Sequence, residues 1–555
     1  MPSLEALAPA SDELLPHTLF RLAKLFPDTI HSEFFGDPTN LANGYRKCTY
    51  RELANAVYAT AWWIEKNIGK PRTDDGSVTV VYFGPNDLRY GILVLASVCV
   101  GYKMLFPSPR YGAEAIARLI DHSDGRIMLY SYPPAPIVTQ VLQKRPMSEL
   151  QIPSLEDLLD ADTQPYPFYK TFQQHKHEPL VALHTSGTTG FPKPILWTHD
   201  WARSFLQSCS LPDPSERHRS AAHFADKNVR VMFPFPPFHA SGILKQLVLD
   251  TCTPAVFIMP PSAPTPTPAA SVDAMANALD FLWALDGKKT DIICLPPPHA
   301  EYLASKPALL DRVSARVRKV VWSGGELSAS TGAALAVKMQ PLNEMGSTEL
   351  GLWPSLERNV ASDENWQYIP LHPALNIRLD PVAKDGNGQE ICEGVMIRND
   401  ESGWVQPLFK IFTEVKEKSL GDLFVRHAEH PELVRLVGRT DDMLIFGSEK
   451  FHPAAIEQEM AAHPSVEEVM MVGTKRPRSA LIVRPKEGAM VDDVWAVVAR
   501  VNDRLPVYAR VEQGMLLIVK EPFLLTAKGS VQKKAMLELY TKELDEIYGR
   551  ATSTP

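Results

Sequence analysis

Short apolar runs rich in β-branched residues alternate with helix-compatible stretches through about the first 430 residues of the chain. Each run ends in proline, glycine or serine, which is typical of buried strands that end in turns. Strands that alternate with helices form βαβ units, and these build mostly parallel sheets with functional loops at the carboxyl ends of the strands. The predicted strands are 77–83, 126–132, 180–186, 229–235, 255–260, 291–297 and 318–325.

The pattern changes towards the C-terminus. Between about residues 365 and 440, apolar runs follow one another as strand–turn–strand, which predicts a β-rich subdomain. The remaining residues are interpreted as a helix starting at Pro453, two strands in VEEVMMVG and SALIVRPK, and a helix over 491–503. We therefore predict an α/β chain with a large N-terminal domain (1–439) and a small α+β C-terminal domain (440–555), joined near 439–442.

Composition excludes several classes of protein. The chain has 57 Lys plus Arg against 65 Asp plus Glu, so it lacks the basic field that binds nucleic acid or an anionic membrane. Its N-terminus carries acids where a signal peptide carries bases, and its longest apolar stretch, 90–106, is shorter than the roughly 20 residues that span a bilayer. The 6 cysteines form no CxxC pair, which argues against a zinc ribbon or a disulfide framework. We expect a cytoplasmic protein with no nucleic-acid or membrane partner.

The strongest local signal is the loop HTSGTTGFPKP at 184–194, directly after the apolar run LVAL. Its glycines, hydroxyl residues and lysine supply backbone N–H groups, hydroxyl donors and a cation, the set that a polyphosphate needs. The spacing is not GxxxxGK[ST], so it is not a Walker loop. The residues expected to bind phosphate are Thr185, Ser186, Gly187, Thr188, Thr189, Gly190 and Lys193.

Further motifs follow in order: FPPFHASG at 235–242, WSGGELS at 322–328, NEMGSTE at 343–349, GDLF at 421–424 and GRTDD at 438–442. With these motifs the chain resembles the adenylate-forming superfamily, which includes acyl-CoA synthetases, luciferases and peptide-synthetase adenylation domains. The resemblance covers nearly the whole chain. It implies an enzyme that joins a carboxylic acid to ATP, with release of pyrophosphate and formation of an acyl-adenylate.

The resemblance also assigns nucleotide contacts. Asp422 and Arg439 are expected to hold the ribose, and Glu349 is expected to hold Mg²⁺ against the phosphates. Met345 stands where the family usually has an aromatic residue that stacks on adenine, and its polarizable side chain still offers a surface to the base. The other expected ATP contacts are Gly324, Gly325, Glu326, Gly346, Ser347 and Thr348.

A C-terminal domain that rotates after adenylation is a further implication, with Asp441 as the hinge residue. The family also has a catalytic lysine in a loop near the C-terminus, which here reads LTAKGSVQKK at 525–534. Aligned on the glycine, Ser530 occupies the usual lysine position, so Lys528, two residues earlier, is the expected catalytic lysine. The other expected catalytic residues are Thr348, Glu349 and His239.

The acid pocket is expected around the FPPFHASG loop. Family members that take α-amino acids generally carry an aspartate after the histidine, where this chain has Ala240, so we expect a substrate without an α-amine. Tryptophan walls with Glu344 suit a hydroxylated benzoic acid. A betaine-like acid is the competitor, since the same residues would cage a quaternary ammonium. The expected lining is Phe238, His239, Ala240, Ser241, Trp322, Ser323, Glu344, Leu352 and Trp353.

The KGSVQKK segment, with FPSPR at 106–110, looks most like fungal peptide-synthetase-like carboxylic acid reductases. That resemblance implies acyl transfer to a phosphopantetheine thiol on a carrier domain, followed by reduction in an NADPH-dependent reductase domain. No GGxS carrier motif and no GxxGxxG nucleotide fold follow here, so we expect an adenylation unit that is either excised from such an enzyme or acts on a separate carrier. The alternatives are a free-standing acyl-CoA ligase and an inert adenylate-binding domain.

Overall fold

The computed structural model describes residues 7–37, 40–73, 75–186, 192–212, 229–262, 267–356, 366–384, 388–401, 403–446, 449–474, 476, 478–525 and 531–552. Contacts divide the chain into two compact units. Unit 1 comprises Met1–Gln367 and Arg398–Val415, and unit 2 comprises Tyr368–Ile397 and Lys416–Pro555. This division places the predicted β-rich subdomain mostly with the C-terminal residues. The predicted boundary at 439–442 stays a prediction.

Unit 1 is built on two sheets with a short hairpin. The six-stranded sheet has the order β6-β5-β3-β4-β7-β8, and the seven-stranded sheet has the order β13-β12-β11-β9-β10-β1-β2. Neighbours are parallel except for the edge pairs β7–β8 and β1–β2. The strands of unit 1 are β1 Ile30–Phe35, β2 Tyr45–Thr49, β3 Thr79–Phe83, β4 Lys103–Leu105, β5 Gly125–Tyr130, β6 Ser148–Gln151, β7 Pro179–Ser186, β8 Pro192–Thr198, β9 Arg230–Met232, β10 Val256–Met259, β11 Thr290–Leu295, β12 Val317–Trp322, β13 Gln340–Asn343, β14 Gly346–Ser347 and β15 Gly351–Leu352.

Each of the seven strands predicted from the apolar runs is present, and the α/β prediction is confirmed. The runs form strands because buried parallel strands need apolar, β-branched residues on both faces. The apolar stretch 90–106 contains the helix Arg89–Val100, which is buried on all sides inside unit 1. Among the helices of the described residues, none has the length and hydropathy to cross a membrane.

Helices of unit 1 connect the strands, as the alternating pattern requires. Many begin with a proline in the first turn or with a serine, threonine or asparagine cap, which supplies an acceptor for a free backbone N–H. They are Leu15–Leu25, Leu41–Gly44, Tyr50–Asn67, Arg89–Val100, Ala113–His122, Pro136–Lys144, Leu155–Leu159, Phe172–His175, His199–Ser208, Ala240–Leu244, the π-helical turn Lys245–Leu249, Asp250–Cys252, Pro268–Asp286, Pro297–Ala304, Pro307–Ser314, Ala329–Lys338 and Leu408–Ile411.

Unit 2 contains an antiparallel five-stranded sheet, order β16-β20-β19-β18-β17, a three-stranded sheet, order β23-β24-β25, and the hairpin β21–β22. Its strands are β16 Ile369–Pro370, β17 Ile377–Lys384, β18 Glu390–Ile397, β19 Glu417–Arg426, β20 Leu433–Arg439, β21 Leu444–Phe446, β22 Glu449–Phe451, β23 Val466–Val472, β24 Ser479–Pro485 and β25 Val511–Ile518. Its helices are Ala454–Ala461, Val491–Asn502, Lys533–Leu539 and Thr541–Thr552, with 3₁₀ turns at Pro373–Leu375, Thr440–Asp442 and Val507–Ala509.

One predicted helix start is off by a residue. Pro453 was expected as the first helical residue, but it lies one position earlier, as the cap of Ala454–Ala461. The missing N–H of proline is tolerated at either position, because neither donates within the helix. The predicted helix over 491–503 is present as Val491–Asn502.

Candidate active site

The predicted phosphate loop joins β7 to β8, the antiparallel pair at the edge of the six-stranded sheet. At its base Thr185 lies opposite Lys193 and Ser186 opposite Pro192, and Lys193 is exposed. The hairpin therefore brings the first hydroxyl residues and the lysine of the motif to one end of the sheet. The residues between them, Gly187, Thr188, Thr189 and Gly190 among the predicted contacts, lie outside the described residues.

A pair of histidines joins this base to the predicted acid pocket. His184 is buried near the end of β7, and its Nε2 accepts a hydrogen bond of 3.0 Å from the backbone N–H of Ser108. Its ring meets that of His239 edge-on, with centroids 6.5 Å apart. Burial lowers the pKa of His184 to about 4, so the ring is neutral at pH 7. The contact joins a loop of the seven-stranded sheet to the first residues of the phosphate loop.

The FPPFHASG loop turns sharply into the helix Ala240–Leu244. A Cβ at Gly242 would lie 2.2 Å from the carbonyl oxygen of Pro236, so only glycine permits this approach. Phe238 is buried, and its ring centroid lies 4.8 Å from that of His239. Ala240 and Ser241 are half-buried on the first turn of the helix. The turn thus holds the predicted pocket residues of this loop close together.

The NEMGSTE motif forms the hairpin β14–β15, and its turn contains Thr348 and Glu349. Two buried indoles hold the backbone of this turn. Trp197 Nε1 donates to the carbonyl oxygen of Thr348 at 2.7 Å, and Trp201 Nε1 donates to that of Glu349 at 2.9 Å. The indoles stack with centroids 3.8 Å apart, so the two donors are fixed relative to each other. Because Trp197 lies on β8, the strand that leaves the phosphate loop also anchors this turn at Thr348, the residue before the predicted magnesium residue.

Other predicted pocket and adenine residues lie at the ends of β12 to β15. Met345 is buried, and its carbonyl oxygen accepts a 2.9 Å hydrogen bond from the N–H of Trp353. Trp322 is buried at the end of β12 with its ring against Trp366, at 5.3 Å between centroids. Gly324 has φ +94° and no atom within 4 Å of a Cβ built on it, so its backbone is approachable. Ser323, Leu352 and Trp353 are buried, Glu326, Ser347, Thr348 and Glu349 are half-buried, and Gly324, Gly325 and Gly346 are exposed.

Glu344 has a partner that the sequence did not predict. Its carboxylate is 2.9 Å from Nζ of Lys245, whose side chain is completely buried on the π-helical turn Lys245–Leu249. The same Nζ lies 3.6 Å from Sγ of Cys294 and 5.6 Å from the ring centroid of Phe235. A lone lysine in the run GILKQLVLD was the available signal, because a single charge inside an apolar segment needs a partner.

The predicted ribose residues lie in unit 2. Asp422 on β19 and Arg439 on β20 are directly opposite in the antiparallel register, and their side chains pair at 2.8 Å. Gly421 has φ +67°, and a Cβ there would lie 2.9 Å from Arg439 Nη2. Asp441 is exposed in the 3₁₀ turn Thr440–Asp442. Lys528, the predicted catalytic lysine, lies outside the described residues.

Comparisons with known proteins identify the family that the motifs predict. A family model described as "AMP-binding enzyme" matches residues 22–385, and one described as "AMP-binding enzyme C-terminal domain" matches residues 441–552. Together the two matches cover most of both units.

Similar proteins include an isocyanide synthase-NRPS hybrid of Aspergillus fumigatus, 29% identical over 98% of this chain and 34% of its own length. A carboxylic acid reductase of Neurospora crassa is 30% identical over 91% of this chain and 48% of its own length. The chain thus spans between a third and a half of these relatives. The crystal structure of ATP-bound MatB from Rhodopseudomonas palustris superposes with a TM-score of 0.69 at 17% identity, over 96% of this chain and 100% of that protein.

Proposed function

The chain belongs to the AMP-binding enzyme family, and from that premise we propose that it activates an aryl carboxylic acid with ATP and passes the acyl group to a phosphopantetheine thiol. The resemblance to adenylate-forming enzymes is confirmed. Membership of an enzyme family argues against the alternative hypothesis of an inert adenylate-binding domain. The proposed products are acyl-adenylate and pyrophosphate, followed by a thioester on a carrier domain.

The observation that carries the proposal is the meeting of three motifs in unit 1. The His184–His239 contact brings the acid loop to the base of the phosphate loop, and the Trp197 indole ties the strand after that loop to Thr348. Adenylation needs a carboxylate and a polyphosphate held within reach of each other although both are anions. Placing the two predicted loops side by side supplies that proximity.

The residues of the turn fit a magnesium ion. Mg²⁺ is commonly held by one or two carboxylates while substrate phosphates and waters complete its octahedron, and Glu349 is half-buried on a backbone fixed by Trp201. When bound, the ion would neutralise phosphate charge during adenylation. Thr348 would donate its hydroxyl to the same phosphates, and Lys193, at the base of the loop, would add a positive charge.

Further roles complete the proposal. Lys528 would reach the carboxylate and the α-phosphate, Asp422 with Arg439 would hold the ribose, and Asp441 would be the hinge between adenylation and transfer. These assignments follow the motifs, and the ion pair between Asp422 and Arg439 keeps the two predicted ribose residues adjacent.

Two features support the finer choice of substrate and acceptor. Ala240 leaves no carboxylate next to His239 to receive an α-ammonium group, which favours an acid without an α-amine. The relative of 30% identity is a carboxylic acid reductase about twice as long as the aligned region, which favours a carrier and a reductase as partners. A free-standing acyl-CoA ligase is the second candidate, since a benzoate CoA ligase from Burkholderia xenovorans shares the fold over 99% of its length, with a TM-score of 0.67 at 18% identity.

ATP–pyrophosphate exchange over hydroxybenzoic, alkyl and amino acids tests the activation step. We expect exchange with hydroxybenzoic acids, and a loss of about 10²–10³-fold for Glu349→Ala, because one charge-stabilising group is removed. The exposed Glu149→Ala on β6 is the control and retains wild-type exchange. Absence of exchange with every acid would refute the proposal, and a preference for an α-amino acid would refute the interpretation of Ala240.

The acceptor is tested by offering coenzyme A and a phosphopantetheinylated carrier protein in parallel reactions. Thioester formation on the carrier at rates well above those with coenzyme A is the expected result. The reverse ratio would identify an acyl-CoA ligase.

A further inference from the structure

A completely buried lysine lies where the parallel strands of the seven-stranded sheet end. Cys294 is the fifth residue of β11, Glu344 directly follows β13, and Phe235 lies in the loop after β9. All three contact Lys245 Nζ. Ligands of open α/β sheets bind at the carboxyl ends of the strands, and here the lysine contacts Glu344, a predicted lining residue of the acid pocket.

Burial of this ammonium group requires a compensating charge, and Glu344 supplies it. Burial opposes the charged form, but the sulfur of Cys294 and the carboxylate of Glu344 outweigh it and leave the pKa of Lys245 raised. Burial also raises the pKa of the Cys294 thiol to about 12, so the thiol carries no charge at pH 7. The formal charge of the Lys245–Glu344–Cys294 cluster is therefore zero.

The two members of the pair differ in access. The side chain of Lys245 is 0% exposed, whereas that of Glu344 is 13% exposed, so only the carboxylate is open to a ligand. The backbone of Glu344 is fixed by a hydrogen bond of 2.9 Å from its N–H to the carbonyl oxygen of Trp322, which is itself a predicted lining residue of the acid pocket. A carboxylate neutralised from behind still accepts hydrogen bonds but attracts a cation much less strongly.

Packing alone does not account for the pair. Replacing a buried ion pair by apolar residues of similar volume is often neutral or stabilising, and methionine would fill the space of Lys245. A π-helical turn at Lys245–Leu249 is a feature often found at functional sites. The pair is thus a candidate for specificity.

We propose that Lys245 is a specificity-determining residue that neutralises Glu344, so that the acid site accepts hydroxyaryl acids, whose ring carries no cationic group, and rejects acids with a cationic group. The inference rests on the proposed adenylation function. It favours a hydroxylated benzoic acid over a betaine-like acid as the substrate. A phenolic hydroxyl donates to the Glu344 carboxylate, whereas a quaternary ammonium finds no net negative charge there.

The test compares ATP–pyrophosphate exchange with salicylate and with glycine betaine. Wild-type protein is expected to prefer salicylate by at least about tenfold in kcat/KM. Lys245→Met removes the positive charge and keeps an unbranched side chain of similar length, so the betaine-to-salicylate ratio should rise about tenfold or more. Lys245→Gln is a second single variant that keeps a polar head and is expected to shift the ratio in the same direction.

The double variant Lys245→Met/Glu344→Gln restores neutrality and contains no buried ion, so it remains readable where the single variants fail to fold. Its betaine-to-salicylate ratio should return to within a few-fold of wild type. The matched control is Lys170→Met/Glu178→Gln, another buried lysine–glutamate pair with a 2.7 Å contact, which should leave the ratio unchanged.

The possible results distinguish a failure of the proposed adenylation function from a failure of the proposed role of Lys245. No exchange by wild-type protein with any acid refutes the proposed function. Exchange that prefers betaine in wild type, an unchanged ratio in folded single variants, or a tenfold shift towards betaine in the double variant refutes the role of Lys245 alone.

Discussion

At the scale of single residues, the two indole donors under the Thr348–Glu349 turn show how the site depends on side chains outside its motifs. Trp197 and Trp201 lie 151 and 148 residues away from the carbonyl groups that they bind. Gly351 also matters here, since its φ is +78° and a Cβ would lie 2.7 Å from the ring of Phe205. The position of Glu349 is therefore set from the backbone by packed aromatic residues.

Trp201→Phe tests this dependence, because it keeps an aromatic ring in the stack and removes only the N–H donor. A typical hydrogen bond contributes about 0.5–1.5 kcal/mol, so exchange should fall roughly 2- to 12-fold, mainly through a higher KM for Mg·ATP. Steady-state exchange at varied Mg·ATP measures the change. Trp62→Phe is the matched control, since it loses an exposed indole bond to Gln164 and should leave exchange unaltered.

At the scale of elements, the segment that carries Lys528 has a closed base. Leu525 and Val531 form an antiparallel bridge, and Gln532 N–H donates to the carbonyl oxygen of Leu524 at 2.7 Å. The helix that follows begins at Lys533, whose Nζ lies 3.3 Å from the half-buried Glu457. The Glu457 carboxylate also accepts a 2.8 Å hydrogen bond from Met471 N–H.

Substitutions of Lys528, Lys533 and Lys534 in this segment should have different effects on adenylation rate and on stability. Lys528→Ala should slow adenylation about 10²-fold and spare transfer from preformed acyl-adenylate, because its contact develops in the transition state. Lys533→Met should instead lower the free energy of unfolding of unit 2 by about 1–3 kcal/mol, since the half-buried Glu457 loses its cation. Burial raises the pKa of Glu457, because the removal of water disfavours its charged form.

Urea unfolding and single-turnover adenylation measure the two effects. The exposed Lys534→Ala, whose Nζ lies 3.9 Å from Glu538, is the control and should change neither. Slowing of adenylation by Lys533→Met in a folded protein to the level of Lys528→Ala would show that Lys528 is the wrong lysine.

At the scale of the whole molecule, buried histidines link stability to pH. Burial lowers the pKa of His31 and His199 to about 3 and that of His184 and His299 to about 4. Neither ring nitrogen of His199 has a hydrogen-bond partner among the described residues. These imidazoles stay neutral in the folded chain at pH values where the unfolded chain binds protons.

The sign of the pH dependence follows from this difference. A histidine in the unfolded chain takes up a proton near pH 6.5, while folded His199 does so only near pH 3, so stability falls as the pH falls through this window. His199→Phe removes one group that binds a proton in the unfolded chain but not in the folded chain at pH 5. Relative to wild type, its free energy of unfolding should gain about 2 kcal/mol between pH 7 and pH 5.

Urea unfolding at pH 7, 6 and 5 measures this difference, with the exposed His177→Phe as the matched control. Parallel pH profiles of His199→Phe and wild type would contradict the prediction.

Local sequence by itself determined the strands, the α/β class and the order of the motifs, because periodicity and turn residues act between near neighbours. It placed β7 and β12 to within two residues at their starts and identified the family whose models match residues 22–385 and 441–552. The roles of Lys528 and Asp441 are still predictions of the same kind, made from motif position.

Only the tertiary structure decided which distant residues meet. Asp422 faces Arg439 because of the register between β19 and β20, and no pattern along either strand specifies that register uniquely. Lys245 reaches Glu344 across 99 residues, because helix and strand pack at one edge of the sheet. Charge balance in the proposed acid site depends on that contact, which arises from the stacking of separate elements and is absent from the neighbours of either residue along the chain.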